Sequence, residues 1–305
     1  MDYKKILKSR AVRLAILKAL CFVPDKPMLK LQYRIKTGRK LNLKNPQRYT
    51  EILQSYKLNY RNKWMIPCVD KADVRAYVES KGLGHILNDC LGVYDCAEQV
   101  DFSKMPDKFV LKDTLGSGGN SVILVPDKAK ADPEELKKQM QKWVTENHKI
   151  KGGGREWPYY SGKKHRIIAE SYLEDSDDGL TDYKFLCFQG NVEYFFIRSV
   201  VPEDHDAGRM AFYDKDKNFL PGVGLDYYTP AEKALPMPQN IDTMMEYAQI
   251  LSKEFPHVRV DFYEVGGKIV FGELTFFHAS GFLEFSPDQF DFDLGKKFVI
   301  PEKTL

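Results

Sequence analysis

The chain has 305 residues, of which 43% are hydrophobic and 29% are charged. This composition is typical of a soluble globular protein, and no apolar run approaches the roughly 20 residues that a membrane-spanning helix needs. The five cysteines are odd in number and lack metal-ligand spacing, which indicates free thiols in a reducing cytosol rather than disulfides or a zinc site.

The formal net charge of +3 is unevenly distributed. Residues 1–63 hold 17 lysines and arginines but three acids, a net charge of +14, which leaves −11 for the remainder. A basic segment on an acidic body favours a polyanionic partner, such as an anionic membrane, an acidic polysaccharide or nucleic acid. Residues 1–23 interleave apolar and basic positions, which predicts an amphipathic helix that is solvated, packed on a partner or in contact with a membrane surface.

In chain order, residues 1 to about 65 are predicted to form helices broken at Pro24, Pro27 and Pro46, with a loop over residues 37–45. Further helices are predicted over residues 70–82, 132–148 and 242–254. Strands are predicted over residues 92–94, 108–112, 122–125, 166–169, 183–188, 192–199, 258–265 and 268–274. Tight glycine turns between several strands indicate antiparallel hairpins, and the mixture predicts the α+β class.

The strongest indication of chemistry lies in the predicted carboxyl-terminal hairpin. Asp261 and Glu273 lie on its two strands, so their carboxylates can converge on one cation, and Mg²⁺ prefers hard oxygen ligands. Arg259, two residues before Asp261, shares its face of the strand and can bind a phosphate or an oxyanion. The alternative is a surface hairpin with solvated acids, but the apolar neighbours favour a buried site.

Two other segments are typical of nucleotide binding. Lys112 ends a strand before the glycine-rich residues 116–121, whose amides can approach phosphate oxygens, although a plain turn explains them equally well. Residues 170–174 follow an apolar strand and precede Asp182 and Lys184. Such a linker offers backbone groups to adenine and acids to a ribose, but each residue alone is also compatible with an ordinary surface position.

The order of these elements resembles the ATP-grasp superfamily, in which two α+β lobes hold ATP between them. The hairpin resembles the D-alanine–D-alanine ligase pattern, with Thr275 in place of the usual asparagine. Over nearly the whole chain the motifs resemble the TupA-type ATP-grasp family, named for a teichuronopeptide-synthesis protein and found in capsule and cell-wall polysaccharide gene clusters. The matching segments are residues 48–51, 60–62, 70–71, 107–112, 116–118, 155–157, 168–170, 182–185 and 272–276.

The resemblance implies a role for each matching residue. Those implied to bind ATP are Lys71, Lys112, Gly116, Ser117, Gly118, Gly119, Ser121, Glu170, Tyr172, Leu173, Glu174, Asp182 and Lys184. Asp261, Glu273 and Thr275 are implied to hold Mg²⁺. Arg259, with the catalytic cations Lys112 and Lys184, would stabilise an acyl-phosphate or a tetrahedral oxyanion.

The implied architecture is a basic helical region over residues 1–68 and an ATP-grasp catalytic region over residues 69–305. The first lobe of the catalytic region covers about residues 69–105, and the ATP-grasp lobes cover about residues 106–305. The residues expected to face the acceptor are Arg155, Arg198, Arg209, His278 and Ser280. Arginine suits a sugar carboxylate, and His278 is either a base for the amine or a structural histidine.

The resulting hypothesis is a cytoplasmic ligase that uses ATP and Mg²⁺ to join a uronic acid of a glycan precursor to an amine through an acyl-phosphate. One alternative is a sugar kinase of the same fold, since the metal motif does not separate the two reactions. Another is a non-enzymatic module that binds a polyanion through the basic segment, with strongly salt-dependent affinity. Nucleic acid is not expected as a partner because that segment lacks aromatic RNA-binding motifs.

Overall fold

The computed structural model describes residues 9–116, 121–145, 153–174, 180–199, 208–226 and 228–301. Its helices are α1 (Arg10–Ala19), α2 (Asp25–Thr37), α3 (Tyr49–Asn59), α4 (Met65–Cys68), α5 (Val74–Ser80), α6 (Pro133–Val144), α7 (Ile241–Ser252) and α8 (Gln289–Lys297). Its strands are β1 (Cys90–Tyr94), β2 (Phe109–Asp113), β3 (Val122–Val125), β4 (Ile167–Ser171), β5 (Asp182–Phe188), β6 (Asn191–Arg198), β7 (Arg209–Asp214), β8 (Gly224–Leu225), β9 (Thr229–Pro230), β10 (His257–Val265), β11 (Lys268–Thr275) and β12 (Phe285–Ser286). This mixture confirms the predicted α+β class.

The amino-terminal segment is helical as predicted from Ser9 onward, but one expected break is wrong. α2 begins at Asp25 and continues through Pro27. Proline is tolerated in a first turn because an N–H there has no acceptor within the helix. Gly38, with a left-handed φ of 70°, ends the helix and starts the predicted loop.

A four-stranded sheet, in the order β1-β4-β2-β3, carries the glycine-rich turn. β2 and β3 pair antiparallel with Lys112 opposite the start of β3, which confirms the predicted hairpin. α6 covers this sheet and starts at Asp132, whose carboxylate accepts hydrogen bonds from two amides of the first turn. Leu136 and Met140 of α6 are buried against the apolar side chains of β2 and β4.

A six-stranded sheet, in the order β11-β10-β5-β6-β7-β9, forms the larger half of the core. Its β5–β6 and β10–β11 hairpins were both predicted. β7 was not, and it begins at Arg209, in a stretch for which the sequence predicted no strand. The following residues 210–213 are buried on both faces, so they lack the polar–apolar alternation of a half-buried strand.

α8 was also absent from the sequence prediction, and it holds the start of α3 against the large sheet. Asp291 of α8 accepts hydrogen bonds from the amide and the hydroxyl of Thr50, at 3.0 and 2.9 Å. At Gly295 a Cβ atom would lie 2.1 Å from the carbonyl oxygen of Gln47, so only glycine allows the helix to approach this closely.

His257, at the start of β10, is a fully buried histidine with both ring nitrogens bonded. Its Nδ1 lies 2.8 Å from the carbonyl oxygen of Cys187, and its Nε2 lies 2.8 Å from the Tyr49 hydroxyl. A carbonyl only accepts, so Nδ1 donates and Nε2 accepts from the tyrosine. Burial lowers the pKa of His257 to about 3, and the ring is therefore neutral near pH 7.

We expect His257 to contribute a fall of roughly 1 kcal/mol per pH unit in the free energy of unfolding as the pH drops from about 6 to 4. In this range the unfolded chain binds a proton on His257 and the folded chain does not, so stability rises with pH. Urea unfolding at several pH values measures the slope, to which buried His278 adds in the same direction. His257→Gln should reduce the slope by roughly 1 kcal/mol per pH unit, whereas the matched change at exposed His85 should not. An unchanged slope in His257→Gln would contradict this assignment.

Over the described ranges, no helix is both long and apolar enough to cross a membrane. All five cysteines, which lie within those ranges, are free thiols, as the sequence predicted. Burial raises the pKa of both Cys68 and Cys187 to about 12, so these two thiols are inert packing residues.

Candidate active site

Four polar side chains meet where β10 and β11 pair. Asp261 and Glu273 lie opposite each other in register. The guanidinium of Arg259 donates from Nε to Asp261 Oδ1 (2.7 Å) and from Nη2 to Asp261 Oδ2 (2.7 Å). Nη2 also lies 2.9 Å from Glu273 Oε1 and 3.0 Å from Thr275 Oγ1. One arginine therefore holds both carboxylates that the sequence singled out.

β5 adds a second cation from the other side of β10. Lys184 lies opposite Asp261, and its Nζ donates to Asp261 Oδ2 at 2.6 Å. The same ammonium lies 3.1 Å from Asp182 Oδ1, and Asp182 Oδ2 lies 3.2 Å from Nη1 of Arg198. The cluster is thus a chain of alternating charges in which every buried carboxylate has a cationic neighbour.

The opposite charges in this cluster keep its side chains ionised despite their burial. Burial acts to raise the pKa of Asp261, but Arg259 and Lys184 outweigh it and lower that pKa to about 2. Burial acts to lower the pKa of Lys184, yet Asp182 and Asp261 raise it above its ordinary value. At neutral pH, Asp261 is therefore an ionised carboxylate beside two cations, Arg259 and Lys184.

A β-bulge at Gly272 sets the direction of Glu273. Asp261 pairs with Glu273 and the next residue pairs with Phe271, so Gly272 is the extra residue of β11. A Cβ atom at Gly272 would lie 3.0 Å from the carbonyl oxygen of Asp261, closer than ordinary contact. Bulges commonly re-aim a side chain beside an active site, and here the backbone approach needs glycine.

Gly272→Ala should therefore lower turnover more than it lowers stability. The added methyl pushes β11 away from Asp261 by a few tenths of an ångström and displaces Glu273. We expect kcat to fall by roughly tenfold to a hundredfold, since small misplacements of catalytic groups are costly. Gly84→Ala, away from the hairpin, is the control, because its backbone φ is not positive and the nearest atom is the flexible side chain of Glu79 at 3.2 Å. Equal losses of turnover in both variants would contradict the bulge argument.

Two further lysines lie on or beside the four-stranded sheet. Lys112 Nζ lies 2.6 Å from Glu170 Oε2. Lys71 donates its amide to the carbonyl of Thr114 at 2.8 Å and its ammonium to the carbonyl of Gly116, at the start of the glycine-rich turn. The remaining predicted turn residues, Ser117, Gly118 and Gly119, lie outside the described residues. Ser121 closes the turn by accepting a hydrogen bond from the amide of Asp113 (3.0 Å).

Lys71 lies in the turn before α5. Asp70 fixes this turn, because its Oδ1 accepts hydrogen bonds from the amides of Ala72 and Asp73 and from Nη2 of Arg166, at 2.9 to 3.0 Å. Burial lowers the pKa of Lys71, and the carboxylates of Glu273 and Asp113 oppose that effect. Lys71 is thus held against the glycine-rich turn of the small sheet, and its charge interacts with that of Glu273 on the large sheet.

The residues predicted to hold adenine and ribose are found in different settings. Glu170 is buried and also lies 3.8 Å from Arg75, while Tyr172 and Leu173 follow β4 and are half-buried. Glu174 pairs with Lys108 at an exposed edge. Asp182, by contrast, belongs to the chain of charges around Lys184. Their nucleotide-binding roles remain predictions.

The three arginines predicted to meet the acceptor lie in different settings. Arg155, which is only 1% exposed in its side chain, donates to the carbonyls of Leu20 and Val23 at 2.7 and 2.8 Å and to Asp25 at 3.0 Å. Arg209 is exposed at the start of β7. Arg198 belongs to the charge chain, and its guanidinium stacks 4.6 Å from the ring of Tyr228.

The predicted acceptor residues His278 and Ser280 lie in a strained turn just after β11. His278 is buried and stacks on Phe196 at 5.9 Å. Burial and then Arg259 lower the pKa of His278 well below its ordinary value, so its imidazole is neutral at pH 7. Ala279 and Ser280 both have positive φ values, 44° and 55°, and non-glycine residues hold such values chiefly where surrounding contacts impose them.

Those contacts come from a buried pair that sequence reasoning missed. Nζ of Lys57 donates to the carbonyls of Ser280 (2.6 Å) and Gly154 (2.7 Å) and to Gln54 Oε1 (3.1 Å). Glu156 accepts from the hydroxyl of Ser280. Burial lowers the pKa of Lys57 and raises that of Glu156, and each opposes the shift in the other. The pair is far apart in sequence, so no local pattern signals it.

Tyr263 was also missed, although the sequence carried a signal. It follows Arg259 and Asp261 at the same two-residue spacing on β10, and its hydroxyl bonds Asp182. The periodicity that selected the arginine and the aspartate therefore extends to this tyrosine.

The donor set can be tested against Mg²⁺. Within the described ranges, no group of three or more His, Cys, Asp or Glu side chains is arranged to hold a metal. Asp261 and Glu273 form a pair, and the hydroxyl of Thr275 lies 2.8 Å from Glu273 Oε1. Mg²⁺ is commonly bound by one or two carboxylates together with substrate phosphates, so this all-oxygen set fits it.

Comparison with known proteins gives one family and several distant structures. Residues 51–299 match the family model described as TupA-like ATP-grasp. D-alanine–D-alanine ligase from Bacillus anthracis is 15% identical over 68% of this chain and 56% of that chain (TM-score 0.43). L-amino acid ligase from Bacillus licheniformis is 17% identical over 73% of this chain and 44% of that chain (TM-score 0.40).

D-alanine–D-alanine ligase from Helicobacter pylori is 11% identical over 82% of this chain and 69% of that chain (TM-score 0.42). The chain thus spans little more than half the length of the first of these structures. None of the curated proteins matches it.

Proposed function

Because the chain belongs to the TupA-like ATP-grasp family, we propose that it is an ATP-dependent ligase that joins a carboxylate to an amine. The observation that carries this proposal is the cluster of Arg259, Asp261, Glu273 and Lys184 on the six-stranded sheet. Lys71, which is bonded to the glycine-rich turn, interacts electrostatically with Glu273 of this cluster. Phosphoryl transfer depends on positioned cations and carboxylate-held metal, and this cluster supplies both kinds of group.

Each cation has a place in this scheme. Lys71 and Lys112, on either side of the glycine-rich turn, would bind the phosphates of ATP. Lys184 would neutralise charge that develops on the transferred phosphoryl group. Arg259 already orients both carboxylates and would stabilise the oxyanion of the acyl intermediate.

Asp261 and Glu273, with Thr275 beside them, would hold Mg²⁺. The metal would neutralise phosphate charge and favour attack on the γ-phosphorus. The protein's own contribution is to keep Asp261 ionised and fixed, and its lowered pKa and three short hydrogen bonds support that role.

The reaction has two steps. In the first, a carboxylate oxygen of the substrate bonds to the γ-phosphorus of ATP, the bond between this phosphorus and the oxygen bridging to the β-phosphate breaks, and ADP leaves. The nitrogen of a neutral amine then attacks the acyl carbon and expels phosphate, and the amine proton passes to solvent or a base. The burial that lowers the pKa of His278 also makes it a weak base, which favours the alternative of a structural histidine. No protein nucleophile is required.

We further infer that the carboxylate belongs to a uronic acid of a capsular or cell-wall glycan precursor and that the reaction occurs in the cytoplasm. The support is the motif resemblance to a family of polysaccharide gene clusters. The predicted acceptor groups Arg198, His278 and Ser280 lie on elements next to the charge cluster. Arg155 and Arg209 lend no geometric support to this inference.

The reaction can be tested by measuring ADP and phosphate released from ATP with Mg²⁺ across a panel of uronic acids, with and without amines. We expect turnover only when both a uronic acid and an amine are present, with one phosphate per ADP. ADP without free phosphate, in the presence of a neutral sugar, would assign the chain as a kinase instead. If the protein does not bind ATP, the whole proposal is wrong.

A further inference from the structure

The amino-terminal helices expose an unusual number of apolar side chains. Five of the nine large apolar residues exposed in the described chain lie between residues 12 and 35. They are Val12, Ile16, Phe22, Leu31 and Ile35. Phe22, in the turn between α1 and α2, is 79% exposed, the highest value among the nine. A single exposed leucine needs no explanation, but a group of this size on one segment does.

The exposed face of α2 divides into a basic flank and an apolar flank. Lys26, Lys30 and Arg34 follow one another at four-residue spacing, and Leu31 and Ile35 follow the same spacing alongside them. The opposite face is the one that packs on the protein. Its buried residues are Met28, Leu29, Gln32, Tyr33 and Thr37. The outward face therefore has the composition of a helix that lies in a membrane interface.

The charge of this segment is of one sign. Residues 9–40 contain nine lysines and arginines and one acid, Asp25. That acid is engaged by Arg155 at 3.0 Å and by the hydroxyl of Tyr160 at 3.2 Å. Lys26 and Lys30 form no ion pair with a described carboxylate. Because residues 64–305 carry −11, an anionic surface would attract this end of the molecule and repel the rest.

Internal hydrogen bonds hold the segment in a fixed orientation. Arg155 donates to the carbonyls that end α1, and Gln32 of α2 donates to the carbonyl of Gly153 at 2.6 Å. Gly154 and Glu156, which follow Gly153 in the chain, contact Lys57 and Ser280 beside the candidate site. The exposed face is thus rigidly related to the catalytic region.

We propose that the amino-terminal surface, formed by the outward faces of α1 and α2 and by Phe22, docks on an anionic lipid bilayer. Phe22, Leu31 and Ile35 enter the boundary between headgroups and acyl chains, and Lys26 and Lys30 bind lipid phosphates. A soluble polyanion would use the cations equally well but would gain nothing from the exposed aliphatic and aromatic groups. The presence of both groups on one face selects lipid.

The test is sedimentation of the full chain with vesicles of phosphatidylcholine alone or mixed with phosphatidylglycerol. Binding should require the anionic lipid and weaken with salt. Phe22→Ser/Leu31→Ser/Ile35→Ser should lower the affinity by about tenfold or more, because these groups leave water only on the membrane. Lys26→Glu/Lys30→Glu should lower it by roughly fivefold per residue or more. Leu124→Ser/Val299→Ser, at residues 60% and 62% exposed elsewhere, is the matched control and should bind as wild type.

Two outcomes would overturn the proposal. In the first, the triple serine variant binds anionic vesicles as tightly as the wild type, which would leave the apolar face without a role. In the second, the chain binds heparin, a soluble acidic polysaccharide, but no vesicles, which would make the surface a polyanion site. Neither outcome bears on the ligase chemistry, and a thermal melt of each variant separates lost docking from lost folding.

Discussion

Glu273→Gln is expected to abolish ATP-dependent turnover while leaving the protein folded. We expect kcat to fall by roughly a hundredfold to a thousandfold, the range found when a group that stabilises transition-state charge is removed. Glutamine keeps the shape of the side chain and can still accept hydrogen bonds from Arg259 and Thr275 through its remaining oxygen. What it removes is the negative charge that would hold Mg²⁺.

Stability should hardly change, because the Glu273 side chain is 50% exposed and the new amide can face water. The expected change in the free energy of unfolding is within about 0.5 kcal/mol. Glu264→Gln, on the same hairpin but bonded to Asn240 at 2.6 Å, is the matched control and should retain turnover. Urea unfolding and a coupled ADP assay measure both quantities. Full turnover in Glu273→Gln would contradict the proposed metal site.

Most of the large sheet could be predicted from sequence because its signals are local. The β5–β6 and β10–β11 hairpins combine apolar strands with turns whose glycines adopt positive φ, such as Gly190 and Gly267. β7 and α8 escaped prediction because their ordering depends on distant partners. β7 is a wholly buried run, and α8 is held by Thr50 and the backbone of Gln47.

The same distinction applies to the site. Arg259 and Asp261 share a strand face, and a hairpin brings Glu273 opposite, so their convergence follows from spacing alone. The bond of Lys71 to the glycine-rich turn, and the Lys57–Glu156 pair beside Ser280, depend on tertiary packing that no local pattern encodes. A sequence also cannot reveal that a conspicuous arginine such as Arg155 caps a helix.

Preorganisation is the physical consequence of the charge cluster. Asp182, Lys184, Asp261, Arg259 and Glu273 form an unbroken series of alternating charges with neighbouring N–O distances of 2.6 to 3.1 Å. Desolvated charges are costly unless each is paired, so the series holds every member in place before any ligand arrives. Removing an interior member should therefore affect folding, whereas removing the exposed end should not.

Asp261→Asn tests that distinction and should damage both folding and turnover. Asp261 is 2% exposed, and both of its oxygens accept hydrogen bonds, Oδ1 from Arg259 and Oδ2 from Arg259 and Lys184. An asparagine must present its NH₂ group to one of these donors whichever way it turns. Arg259 and Lys184 lose the carboxylate that they share, although each keeps one other, Glu273 or Asp182. The free energy of unfolding should therefore fall by about 3 kcal/mol, the lower end of the range for a broken buried pair, and kcat should fall by at least about a thousandfold.

Two further variants separate the two effects. Asp291→Asn removes another buried carboxylate, bonded to Thr50 and Arg48 away from the site, and should lose stability while keeping turnover per folded molecule. Asp261→Asn/Lys184→Met also removes the ammonium that Asp261 balanced, so it should regain part of the lost stability. It should not regain turnover, because Asp261 is still absent from the metal site. Recovery of turnover along with stability in the double variant would mean that Asp261 acts only in folding, and the catalytic role assigned to it would have to be withdrawn.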